Sequence, residues 1–373
     1  MTTENERTRP RSIIIENTVA LNTGDAAIAL SLIRMLRAAF GDHIQVTIFD
    51  SHSRAARHYY PELNFQQQVT KIGWLPFRAR LLNKLACLWG GKRHWRLITG
   101  ANAFAGGNRF LTQLLLSREE LAALQCYQFA DMVISTGGTY LVETYDLTSR
   151  IAEYEKDIAL GKPPIFFTQS MGPFREPDNR RALKKILESS PLILVRDEQS
   201  KRNISDLGIR TDSVFVVADS AFLFAKSDLV NLEEKRNQQR SLNVAISVRY
   251  WHAYEGKDRI SGNRDYRHAI ASLTQMLVND FRARVTFVST CQGVPEYWTD
   301  DSKTAEEIVK LLPNPIRNKV HVDRAFRRPE HLVEFIGAFD FVVATRMHMA
   351  VLALCAGVPV LPIAYEFKTR ELF

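Results

Sequence analysis

Short β-branched or aromatic runs alternate along almost the whole chain with stretches whose apolar residues recur at helical spacing. The runs are Ser12–Ile15, Ile44–Phe49, Met132–Ser135, Pro164–Gln169, Leu192–Arg196 and Val214–Ala218. Between several of them lie amphipathic patterns such as Ala26–Phe40 and Asn179–Ser189. Strand, helix, strand in succession predicts right-handed βαβ units and a mostly parallel sheet. The polar, aromatic-poor stretch Lys226–Arg240 interrupts this rhythm and reads as a linker. Alternation then restarts, with strands at Leu242–Val248, Val285–Thr290, Lys319–Val322, Phe341–Ala344 and Pro359–Ile363. The helices between them are Asp265–Phe281, Thr304–Leu312, Pro329–Ala338 and Met347–Cys355. The expected architecture is α/β, with two Rossmann-like domains facing a cleft: 1–225, a linker at 226–240, and 241–373. Ligands in such sheets bind beyond the carboxyl ends of the strands. That rule selects the residues considered below.

The chain has 373 residues, of which 46% are hydrophobic, enough for two α/β cores and too many for a disordered chain. Its four cysteines are dispersed and form no CxxC, which argues against a disulfide framework or zinc site and fits a reducing cytoplasm. The N-terminus is polar, and no uncharged apolar run approaches the ~20 residues that span a bilayer. A cytoplasmic protein is therefore expected, one not integral to the membrane.

The net charge of +8 has a local origin. From Lys71 to Arg118 there is no Asp or Glu but nine Lys or Arg, interleaved with Trp74, Trp89, Trp95 and several leucines. A basic amphipathic helix edged by Trp suits an anionic membrane surface, to which the protein would bind peripherally. The same pattern fits a helical excursion whose leucines pack on the first domain while its basic face is solvated. Nucleic acid is disfavoured as a partner, because no second basic patch or binding motif joins this one.

Six motifs sit at predicted carboxyl ends of strands. Asn22-Thr23-Gly24-Asp25 opens the first helix, where Asp25 is placed to accept a substrate hydroxyl or to cap the helix. Gly137 and Gly138 form either a close backbone approach to a ligand or a tight turn. Gln169 and Ser170 offer uncharged donors and acceptors suited to sugar hydroxyls. Arg196 ends a strand, where its fork would hold a carboxylate or phosphate or pair with an acid such as Asp219. Arg249 is a second cation at a strand tip. Arg346 and His348 flank Met347 at a helix N-terminus, where dipole, free N–H groups, guanidinium and imidazole would converge on one anion. No HExxH or paired His/Cys set points to a metal, and there is no GxGxxG, GxSxG or Walker lysine.

Taken in order, NTGDAAI, ISTGGTYL, TQSMGPF, VRDEQS, VADSAF, ISVR, ATRMHMAVLALCAGVPV and Y-x-x-K resemble the polysaccharide pyruvyltransferase family. The resemblance runs from about Ile13 to Lys368 and leaves Lys71–Arg118 outside it. It implies a GT-B-like fold and transfer of pyruvate from phosphoenolpyruvate to two hydroxyls of one sugar, giving a cyclic ketal on a surface polysaccharide or its precursor. Phosphoenolpyruvate is then a co-substrate, and no cofactor or metal is expected. The resemblance places Arg196, Arg346 and His348 at the phosphoenolpyruvate site, with Arg249 counted among them. Asp25, Gly137 and Gly138, together with Gln169 and Ser170, would face the sugar acceptor. Families of this architecture usually continue past the last strand with a helix returning to the first domain; either that closing element is absent from this chain or the branch does without it.

The chemistry expected from this set has His348 protonating the methylene carbon, a task suited to a group whose ordinary pKa is about 6.5. Asp25 is the candidate base for the acceptor hydroxyl. An acceptor built on a polyprenyl diphosphate carrier would bring the enzyme to the membrane through Lys71–Arg118. Two other readings stay open: a sugar-nucleotide glycosyltransferase, although Met347–Gly357 lacks the glutamate that many retaining members carry there, and a non-catalytic scaffold of polysaccharide assembly.

Overall fold

The computed structural model describes residues 11–72, 94–226, 241–252, 254 and 256–373. The centre of the basic stretch and nearly all of the expected linker lie outside them. Packing divides the chain into two compact units. The first is Met1–Ala20 with Ile28–Asp219, and the second is Leu21–Ala27 with Ser220–Phe373. Asp25, assigned from sequence to the first domain, therefore packs with the second.

The first unit holds β1 (Ser12–Thr18), β2 (Gln45–Asp50), β3 (Asn64–Gln67), β4 (Met132–Ser135), β5 (Gly138–Leu141), β6 (Ile165–Met171), β7 (Ile193–Val195) and β8 (Val214–Val216). They form one eight-stranded sheet in the order β3-β2-β1-β4-β6-β7-β8, with β5 also beside β6. Every pairing is parallel; Ile14 lies between Thr47 of β2 and Val133 of β4. Parallel strands are covered on both faces and so read as unbroken apolar runs. Ile13, Ile14 and Ile15 are accordingly all buried. One apolar cluster gathers around Ile14, Phe49, Leu97, Leu124 and Tyr127. Another gathers around Phe166, Leu183, Ile186, Ile193 and Ile204.

The second unit repeats the plan with β9 (Asn243–Ser247), β10 (Arg284–Phe287), β11 (Val320–Val322), β12 (Phe341–Ala344) and β13 (Val360–Pro362). The order is β11-β10-β9-β12-β13, all parallel. Its core joins Val244, Ile246, Val285, Phe287 and Val343 to Ile270 and Ile308 of the covering helices. Strand order reverses between β1 and β4 in one sheet and between β9 and β12 in the other. Those are the points where α/β sheets open a crevice.

Four local expectations change. Asn64–Gln67 pairs as a strand although Asn-Phe-Gln-Gln has no β-branched run. Gly138–Leu141 is a strand rather than part of a loop. The helix expected from Asp265 starts at Arg259, because the Asp258 carboxylate accepts the N–H groups of Ile260 and Ser261 at 2.8 and 3.0 Å. Arg96 does not belong to a solvated basic face: it is buried and pairs with Glu120, which itself closes a capping box with Ser117. Among the described residues no helix is long and apolar enough to cross a membrane.

Candidate active site

At the reversal point of the second unit, β9 ends at Ser247 and is followed by Val248-Arg249, and β12 ends at Ala344 and is followed by Thr345-Arg346. Helix Met347–Cys355 follows at once, with Arg346 as its N-cap residue and His348 in its first turn. Arg346 offers no side-chain oxygen to cap the helix, so the helix start carries no side-chain cap and stands beside a guanidinium. That is an anion-binding arrangement by charge and by hydrogen bonding together.

Arg346 is held from behind. Its Nε and Nη2 donate to Oδ2 and Oδ1 of Asp301 at 2.8 and 2.7 Å, a planar two-point pair. Burial opposes its charge, but the Asp301 carboxylate outweighs that and raises its pKa well above the ordinary value. Arg249 lies over the rings of Trp251 and Tyr365, 4.6 and 4.7 Å from their centroids, and donates to the Tyr365 hydroxyl. Lys368 pairs with Glu366 at 2.6 Å beside the same tyrosine. Thr345 shares a 2.7 Å hydrogen bond with Tyr266.

The segment carrying Asp25 is tied to this unit through Thr23, whose N–H donates to the Thr290 carbonyl at 2.9 Å and whose hydroxyl donates to that of Arg327 at 2.8 Å. The helix runs Thr23–Phe40, so Asp25 stands in its first turn. Asn22, not Asp25, accepts from the Gly24 N–H, and its amide donates to Asp25 at 2.7 Å. Gly24 is required here: a Cβ on it would lie 2.5 Å from the Cβ and Nδ1 of His348. Asp25, Arg346 and His348 are thus gathered in one unit. Burial pushes the nearby Cys291 up to about 12, so it remains a thiol at neutral pH rather than a nucleophilic thiolate.

The other expected residues lie in the first unit with internal partners. Arg196 is buried and donates to Ser170 (2.8 Å), Asp219 (2.7 Å) and Thr139 (2.7 Å). Ser170 in turn donates to Asp197 at 2.7 Å. Gln169 is fully buried, and its amide donates to the Ser135 hydroxyl and the Thr136 carbonyl at 2.8 and 3.0 Å. A Cβ on Gly137 would meet Thr168 Oγ1 at 2.4 Å, so that glycine serves packing on β6. Gly138 has φ +142°, and a Cβ there would lie 2.6 Å from the Tyr140 ring. Thr168 itself has φ +44°, a strained setting for a β-branched residue. Beside them Lys156 is completely buried, 2.9 Å from Asp157, 3.1 Å from Glu153 and 3.6 Å from Glu16.

Asp301, Ser289, Tyr266 and the Lys156 cluster did not stand out in the sequence. Asp301 had only one signal, its place after Asp300, which caps helix Asp301–Lys310. Among the described residues no three His, Cys, Asp or Glu side chains gather as a metal site.

The profile of the polysaccharide pyruvyl transferase family matches residues 22–366. The chain belongs to that family. The match takes in Asp25, Arg196, Arg249, Arg346 and His348. The amylovoran biosynthesis protein AmsJ of Erwinia amylovora is 25% identical over 245 residues, which is 64% of this chain and 58% of AmsJ. The chain thus spans less than two thirds of that relative. Among solved structures, HepE of Anabaena in complex with UDP-glucose superposes with a TM-score of 0.52 at 11% identity, over 94% of this chain and 80% of HepE. The UDP-GlcNAc 2-epimerase of Neisseria meningitidis does so at 0.50 and 13%, over 96% and 84%. These likenesses show a shared GT-B-like α/β fold and nothing of chemistry.

Proposed function

We propose that the chain moves the pyruvyl group of phosphoenolpyruvate onto two hydroxyls of one sugar, making a cyclic ketal on a surface polysaccharide or its precursor. The observation that supports this best is Arg346 and His348 at one helix N-terminus, at the reversal point of the second sheet and inside the family match. In this reading the guanidinium and the helix N–H groups take the phosphate and carboxylate. His348, as an imidazolium, gives its proton to the methylene carbon. C2 becomes cation-like, and one sugar hydroxyl adds to it and loses its proton. The bond from C2 to the phosphate oxygen then breaks, and phosphate leaves with the electron pair. The second hydroxyl closes the ring and releases its own proton. Asp25, partly exposed and in the same unit as His348, is the proposed base for the first hydroxyl. Donors already fixed around the anion need no reorganisation as charge moves, which is where most of the rate comes from.

The test is phosphate release from phosphoenolpyruvate with and without lipid-linked or synthetic galactosides, glucosides and mannosides. The expected result is acceptor-dependent release that falls by about 10²–10³-fold in Arg346→Ala. Absence of release with every acceptor, together with absence of phosphoenolpyruvate binding in calorimetry, overturns the reading. We also propose a lipid-linked acceptor at the cytoplasmic membrane face, reached through the basic stretch. Binding to anionic vesicles that is unchanged after Arg78, Arg80, Lys84, Lys92 and Arg93 are replaced by Gln would refute that part.

A further inference from the structure

Asp301 is the one acidic side chain in direct contact with Arg346 among the described residues, and its surroundings are built around that contact. It is the first residue of helix Asp301–Lys310, and its backbone N–H donates to the Cys291 carbonyl at 2.7 Å. Its side chain is only 1% exposed. Oδ1 accepts from Arg346 Nη2. Oδ2 accepts from Arg346 Nε and, at 2.5 Å, from the Ser289 hydroxyl. Ser289 Oγ lies 3.2 Å from Ser247 Oγ. A chain of contacts therefore crosses the carboxyl ends of β9, β10 and β12 and ends on the guanidinium. Buried carboxylates are costly to desolvate, so a buried pair of this kind is weak evidence for stability.

We propose that Asp301 is the positioning residue for Arg346: by occupying Nε and Nη2 it fixes the Nη1 edge of the guanidinium as the one offered to the anionic co-substrate. This rests on the reading above for the identity of that anion. The physical consequence is specific. The carboxylate cancels most of the charge of Arg346, so what the pair supplies to the anion is direction rather than net attraction. Replacing it with a neutral amide removes a negative charge from beside the anion and at the same time frees the guanidinium to turn. Affinity is then kept or improved, while alignment with the reacting phosphate is lost. A residue that merely held the fold together would not separate the two.

The experiment is steady-state kinetics of Asp301→Asn in the full chain with phosphoenolpyruvate and a working acceptor. The expected result is a kcat lower by about tenfold to a hundredfold, as for a misplaced catalytic group, with KM for phosphoenolpyruvate unchanged or reduced. In an Arg346→Lys background the same substitution adds less than about a twofold loss, because it acts through the group already removed. A wild-type kcat in Asp301→Asn overturns the proposal, and so does a full loss in the Arg346→Lys background. Should Asp301→Asn fail to fold, Ser289→Ala, which deletes one donor to Oδ2, is read in the same way for a smaller fall in kcat. A second measurement does not depend on turnover. In a ¹⁵N-arginine spectrum the Arg346 Nε–H signal, identified by its disappearance in Arg346→Lys, is resolved in the wild type and moves among the exposed arginines in Asp301→Asn. If the wild type never uses phosphoenolpyruvate, the function fails and this signal still decides the positioning. An unmoved signal in Asp301→Asn rejects it.

Discussion

The two sheets reverse strand order at equivalent places and use the carboxyl ends there in opposite ways. Between β1 and β4 three carboxyls surround one ammonium, and all four groups are at most 2% exposed. The Lys156 ammonium also sits 3.3 Å from the centroid of the Tyr127 ring, and the Tyr127 hydroxyl donates to Glu16 at 3.0 Å. Burial raises the pKa of Glu16 and lifts that of Asp157 well above its ordinary value. Between β9 and β12 there is one carboxylate for one guanidinium, and Arg346 keeps part of its surface open. Topology creates room and polar backbone ends in both sheets. Whether that room can take a ligand depends on whether a charged group there keeps an open edge, as Arg346 does and Lys156 does not.

The comparison breaks most readily at Lys156. Lys156→Met leaves Glu16, Glu153 and Asp157 buried without a cation, and such a loss costs about 3–5 kcal/mol. Urea unfolding measures it. Phosphate release per folded molecule should stay at the wild-type level, since none of these groups reaches the surface. A cost under about 1 kcal/mol, the range of an exposed pair, would mean that the cluster is not a closed unit.

A pair of glycines sharpens the contrast with a smaller effect. In Gly137→Ala the new Cβ meets Thr168 Oγ1 at 2.4 Å, Ile28 Cγ2 at 2.8 Å and the Phe167 carbonyl at 2.9 Å. Overpacking of this kind costs about 1–3 kcal/mol, expected as a lower unfolding midpoint. In Gly24→Ala the new Cβ meets the Cβ and ring of His348, so the expected loss includes turnover as well as stability. A Gly24→Ala protein with wild-type kcat would mean that the ring position of His348 does not matter to the reaction.

How far each sheet was legible follows from the same difference. Val244–Ile246 and Val342–Ala344 are apolar runs bounded by polar junctions, and the helix of Met347–Cys355 follows its strand directly, so both strands and the Arg-x-His junction could be read from pattern alone. Asn64–Gln67 could not, because its pairing with β2 comes from the sheet and not from its own side chains. Asp25 was assigned to the wrong half because sequence order suggested it; the contacts of Thr23 with Thr290 and Arg327 join residues about 270–300 positions apart. The same holds for Asp301 with Arg346 and for Glu16 with Lys156, where a charged residue in an amphipathic stretch gives no sign of its distant partner. Gln169, Ser170 and Gly137 were read as facing the acceptor from their place near strand ends, while their internal partners gave no signal in the sequence. The first sheet uses those ends for its own hydrogen bonds and packing.

The smallest expected effect is also the most selective for the closed site. A carboxyl with a folded pKa above its unfolded value keeps a proton that the unfolded chain gives up. Its contribution is therefore neutral below the unfolded value, about 3.9 for Asp, and stability is lost as pH rises from there through the folded value. Asp157 is such a group. Asn at this position resembles the protonated acid at every pH, so Asp157→Asn should match the wild type near pH 4 and become progressively more stable than it above. Each unit by which the Asp157 pKa is raised is worth about 1.4 kcal/mol of that divergence. Carboxyls with lowered values elsewhere, such as Asp131 and Glu143, give the opposite slope but are common to both proteins, so they cancel in the difference. Urea midpoints of the two proteins measured between pH 4 and 8 should therefore diverge. Parallel curves would mean that the Asp157 pKa is not raised in the folded chain, with Glu16 the next group to test by Glu16→Gln.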